Sequence, residues 1–175
     1  MNDLFKIVIL CSFLFDNAFF GLEACELFHT ADENIGESLI KTENFSIENN
    51  KEPKKSQENF NLIIEQIADL YRGTINDLGG NLKLEKKWED STFNATAGKD
   101  GHTWALTFYG GLYRYPDLTQ DAFVLVACHE MGHLLGGAPY VVNSAGIFSI
   151  EGQADYWAAS VCLKEYFSKY PKTVS

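Results

Sequence analysis

Apolar positions change their period along the chain, and each change marks an element. From Glu58, the run ENFNLIIEQIADLYRGTINDLGG places Phe60, Ile63, Ile64, Ile67, Leu70, Tyr71 and Ile75 at steps of three and four. That is one face of an amphipathic helix, ended by Gly79-Gly80. NLKLEKKW then alternates at Leu82 and Leu84 as a strand does, and STFNATA and HTWALTFYGGLYRY flank a Lys-Asp-Gly turn, the pattern of a β-hairpin. After Pro116, the capping residues Asp117 and Thr119 open a helix through VLVACHEMGHLL that stops at Gly136-Gly137. APYVVNSAGIFSI reads as a loop, and EGQADYWAASVCLKEYFSKY as a last helix ended by Pro171. The order is helix, three or so strands, helix, helix, which predicts one small α+β domain over residues 58–171.

The central helix carries a contradiction. VLVACHEMGHLLGG is apolar enough to be core, yet it holds His129, Glu130 and His133. Histidines at i and i+4 lie one turn apart on one helical face, where both imidazoles reach a single ion, with Glu130 beside them. The alternative is a core helix with hydrogen-bonded histidines. A catalytic zinc wants three protein donors and one open position, so the chain must supply another ligand. Glu151 and Asp155, a loop away and themselves four apart, are the candidates. With Glu151 on the metal, Asp155 can accept the Nδ1 proton of His129 and fix its tautomer.

Charge and cysteines narrow the setting. A formal charge of −10, with 14 scattered basic residues among 175, excludes a nucleic-acid surface. Lys6 precedes the nine-residue apolar run Ile7 to Phe15, too short to span a bilayer, and Ala24 offers a small residue for cleavage. Residues 1–24 therefore read as an export signal, and residues 25–57, polar and mixed in charge, as a flexible tether. LEAC at Leu22 to Cys25 resembles a lipoprotein signal, which would lipidate Cys25. Cys128 and Cys162 are then left to pair as a disulfide or to pack as buried thiols. The expected setting is an exported bacterial protein, periplasmic, lipid-anchored at the outer membrane or secreted, and monomeric.

HEMGH followed by EGQADYWAA resembles the gluzincin metallopeptidases. Together with NATAGKDGHTWALTFYGGLYRY before it, the segment from Leu82 to Leu163 looks most like the catalytic domain of the CAAX-type and heat-shock membrane endopeptidases. The resemblance implies a minimal zincin-like fold: an N-terminal helix, a small mixed sheet with an edge strand, a zinc-binding helix and a C-terminal glutamate helix. It implies that His129, His133 and Glu151 bind Zn2+, that Glu130 is the catalytic base, and that Asp155 braces a ligand from outside. It also places Asn94 and Ala95 on an edge strand that takes an extended peptide by backbone hydrogen bonds. Two departures stand out: no membrane-spanning segment follows Phe20, and only 20 residues follow Asp155. The acid or oxyanion donor must then come from Tyr140, Tyr156 or His102, or be absent.

The expected function is a zinc endopeptidase in which Glu130 takes a proton from the attacking water. The rival is a peptide-binding envelope module, non-catalytic or latent, that keeps zinc for stability. Trp104, Tyr109, Tyr113 and Tyr115 are expected mainly as core and rim packing.

Overall fold

The computed structural model describes residues 55–143 and 146–171; the segments expected as an export signal and a tether, with Cys25, lie outside the described residues but for residues 55–57. Ser56 caps the first helix, α1 (Gln57–Asp77), its side chain accepting from the Asn59 amide at 3.2 Å. The predicted stripe is the buried one: Phe60, Ile63, Ile64, Ile67, Tyr71 and Ile75 face the core, joined by Ala68, while Leu70 packs at its margin.

Three strands follow, β1 (Asn81–Lys87), β2 (Ala95–Asp100) and β3 (Thr103–Tyr109). The order is β1-β3-β2, with β1 parallel and β2 antiparallel to β3, so the sheet is mixed and β2 lies at an edge. The β2–β3 hairpin turns at Gly101, whose φ of 56° suits the turn.

Beyond Tyr109 the structure departs from the expected strand. GLYRY does not continue β3; Gly110–Arg114 form a short helix, α2. A side chain on Gly110 would strike the Trp88 carbonyl, and one on Gly111 the Ser91 carbonyl, so the chain leaves the sheet against backbone. The turn carries Tyr113 into an aromatic cluster, 4.7 Å between ring centroids from Phe123 and 5.5 Å from Phe60.

Thr119 caps α3 (Gln120–Leu135), accepting from the Ala122 amide at 3.1 Å. This helix is buried on nearly every side, against α1, the sheet and the C-terminal helix. The segment expected as a loop is a second hairpin, β4 (Tyr140–Asn143) and β5 (Gly146–Ser149), antiparallel. Its alternation is short, with Phe148 buried and Val141 packed on the core while Val142 and Ile147 face solvent. A continuous C-terminal helix then runs through α4 (Glu151–Trp157), a π-helical stretch (Ala158–Cys162) and α5 (Leu163–Lys169). The whole is a small α+β domain with sheets of three and two strands. Among the described residues, no helix is long and apolar enough to cross a membrane.

Candidate metal centre

Because α3 is packed all round, its polar residues are held inside: His129 is 8%, Glu130 5% and His133 6% exposed. One ligand-capable atom from each of His129, His133 and Glu151 lies within 4.8 Å of the others. Nε2 of His129 stands 3.2 Å from Glu151 Oε2, and Nε2 of His133 stands 3.5 Å from Oε1.

The opposite nitrogens of both rings are engaged. His133 Nδ1 lies 2.9 Å from the Ser149 carbonyl, which can only accept, so Nδ1 carries a proton and Nε2 is the nitrogen turned inward. His129 Nδ1 meets Asp155 Oδ1 at 2.8 Å and is oriented in the same way. Oε2 of Glu151 is buried without a hydrogen-bond partner, 3.2 Å from Nε2 of His129. Two imidazole Nε2 atoms and a buried carboxylate oxygen without a hydrogen-bond partner converge, a set that suits a cation, whether a proton on Nε2 or a metal. His129, His133 and Glu151 can therefore hold a metal ion.

The electrostatics agree. Burial alone would push the His129 pKa down, but the hydrogen bond to Asp155 and the neighbouring carboxylates of Glu151 and Glu130 lift it to about 10. Burial would raise the Glu151 carboxyl, yet the two histidines hold it below the ordinary carboxylate range. Without a metal, a proton on His129 supplies the positive charge; a metal would compete with that proton for Nε2. Glu130 goes the other way: burial, reinforced by Glu151, raises its pKa against the pull of the histidines.

Three devices hold α3 against the C-terminal helix. Cys128 and Cys162, next to His129 and on the ligand-bearing helix, form a disulfide with Cα atoms 5.6 Å apart. The 34-residue separation corresponds to roughly 4 kcal/mol of loop-closure stabilisation in the chain-entropy account. Gly132, inside the motif, faces the Ala154 backbone; a Cβ there would stand 2.8 Å from the Ala154 carbonyl oxygen. From the C-terminal helix, Gln153 Nε2 donates to the Gly136 carbonyl at 2.6 Å, while the neighbouring carbonyls are met from the strands, Leu134 by Lys99 Nζ at 3.1 Å and Gly137 by Ser149 Oγ at 2.8 Å.

The other candidates are placed unevenly. Asn94 and Ala95 stand at the start of edge strand β2, where Asn94 Oδ1 accepts from the Ala95 amide at 2.8 Å. Tyr140, exposed, pairs with Ser149 across the second hairpin, and Tyr156, exposed, follows Asp155. His102 is tied elsewhere, its Nδ1 2.9 Å from the Gly79 carbonyl at the far turn of α1. Ser149 and Gly132 escaped the sequence reading. Ser149 acts on His133 through its backbone and carries no residue signature there, whereas a glycine inside a helical pattern costs about 1 kcal/mol and is a legible flag.

No protein-family model, curated protein or solved structure matches the chain, so the metal centre is read from its own geometry.

Proposed function

We propose that this chain is a zinc-dependent peptidase of the gluzincin type, with His129, His133 and Glu151 as ligands and Glu130 as general base. The observation that carries the reading is the set of inward-turned donors, two Nε2 atoms and a buried Glu151 oxygen lacking a hydrogen-bond partner, with Glu130 buried beside it. Two imidazoles and one carboxylate would give a bound zinc three protein donors, the number a catalytic zinc site supplies. Zinc, when bound, supplies a Lewis acid that polarises the peptide carbonyl and lowers the pKa of water toward ~7.

The chain's own residues do the rest. Glu130 takes the proton of the attacking water and passes it to the leaving amine, and its raised pKa brings it nearer the working range of such a base. Asp155 and the Ser149 carbonyl hold the two rings in their tautomers. Tyr140 and Tyr156 are the oxyanion donors we favour, since they flank the Glu151 segment, whereas His102 is bound to the α1 turn. An exported location fits the Cys128–Cys162 disulfide, because disulfides persist in oxidising compartments.

A metal kept only for stability is the weaker reading. The disulfide and the Gly132–Ala154 contact already join the two helices, and a purely structural site gains nothing from a buried Glu130. Elemental analysis should find one zinc per chain in the wild type and in Glu130→Gln, and a marked loss in Glu151→Ala. Peptide cleavage should fall by roughly 100-fold or more in Glu130→Gln. Undiminished cleavage in that variant sinks the base assignment, and a wild type that takes up no zinc sinks the reading as a whole.

A further inference from the structure

The edge strand offered to a peptide is shorter than its length suggests. Tyr109 donates to the Asn94 carbonyl at 3.4 Å, which makes Asn94 and Tyr109 a hydrogen-bonded pair of the β2–β3 ladder. Antiparallel pairs alternate, so Thr96, Gly98 and Asp100 spend their backbone groups on β3, while Ala95, Ala97 and Lys99 turn theirs to the open edge.

Two of those three positions are already engaged. The Ala95 amide is taken by Asn94 Oδ1 at 2.8 Å. At the other end, Gly146 of β5 lies against Lys99: a Cβ built on Gly146 would stand 3.0 Å from Lys99 Cβ and 3.2 Å from the Lys99 carbonyl oxygen. Since the Lys99 carbonyl is one that points to the edge, β5 stands in the path of any strand added there. Only Ala97 keeps both its edge-facing groups clear of these two contacts.

The obstructed end can be located along the metal centre. Lys99 Nζ reaches the Leu134 carbonyl, one residue past His133, and Ser149 at the other end of β5 holds His133 Nδ1. The β5 wall therefore stands at the His133 end of the ligand set. From Ala97 to Lys99 is one two-residue repeat, about 7 Å, so an extended chain paired at Ala97 has room for one or two residues before the wall.

We infer that the site takes the end of a peptide chain, with at most a few residues on one side of the scissile bond, and does not cleave in the middle of a long extended polypeptide. This rests on the peptidase reading and narrows the endopeptidase expectation; the bond broken and the fate of the water are unchanged. The wall is Gly146 set against the Cβ and carbonyl of Lys99, with no side chain on the Gly146 side, so it limits length without selecting a side-chain type.

The test is product mapping with the metal-loaded full chain. A complex mixture of peptides with free ends is digested, and the products are sequenced. Cleavage should cluster within about three residues of one terminus, the same terminus throughout. Lengthening the best substrate by four residues at that terminus should lower kcat/KM by roughly ten-fold or more, while the same extension at the other terminus changes it by less than about two-fold. Cuts spread through peptide interiors, or indifference to extension at both ends, overturn the length limit and leave the peptidase reading standing. Absence of any cleavage by zinc-loaded protein overturns both.

Discussion

The domain contains two interiors built on opposite terms. Under α1, Phe60, Phe108, Tyr113 and Phe123 pack ring on ring, and tolerance comes from area alone. Between α3 and the C-terminal helix, a largely buried surface holds two histidines and the three carboxylates of Glu130, Glu151 and Asp155, whose desolvation opposes folding. The first interior needs only volume. The second needs devices that an apolar core does without: a disulfide, a glycine set against backbone, and a hydrogen bond for each outer ring nitrogen. The packed apolar core and the candidate metal ligands are thus separated in space, and the two regions should respond differently to change.

The largest expected effect breaks the aromatic interior. Phe123→Ala should cost about 3–5 kcal/mol, measured by denaturant unfolding, while the protein still folded at low denaturant binds zinc at full stoichiometry. Loss of the metal in that folded fraction would show that the two interiors are not separable. A smaller effect is expected from Gly132→Ala. The added methyl must displace the Ala154 backbone, for about 1–3 kcal/mol of overpacking, and because that backbone carries Glu151 and Asp155, zinc affinity should fall more than stability does. A fall in stability with unchanged zinc affinity would mean that the close contact is packing alone.

The smallest effect separates the regions by pH. In metal-free protein the His129 pKa stands at about 10, above its ordinary 6.5. The protonated ring therefore contributes stability that is complete below pH 6.5 and is lost as pH rises through about 10. The melting temperature of metal-free protein should decline across that window. The stabilisation gained on adding zinc should grow across the same window, since protons no longer compete for Nε2. A melting temperature of metal-free protein that stays level in that window would contradict the carboxylate environment of His129, and His129→Ala serves as the control that removes the slope.

Much of this arrangement could be read along the chain. The α1 stripe, the capping residue Thr119, the glycine stops and a hairpin turn through Gly101 act through neighbours in sequence, and local physics carries them. The histidine spacing belongs to the same class, because i and i+4 share a face wherever the helix lies. Less legible were the elements whose form depends on what they meet. GLYRY has strand-like composition but turns into α2 because Gly110 and Gly111 abut the Trp88 and Ser91 carbonyls. YVVN and GIFS are too short for their alternation to stand out, and they become strands by pairing with each other over Phe148.

The residue types of the metal centre, and the order in which the chain meets them, are properties of the sequence. Whether Cys128 would find Cys162 or pack as a thiol, which carbonyl would hold His133, and how far β2 would stay open were decided only when α3 met the C-terminal helix and β5 met Lys99. The reason is physical. A periodic pattern says which face is buried, but a hydrogen bond from a backbone carbonyl, or a wall made by a glycine, leaves no side chain in the sequence to announce it.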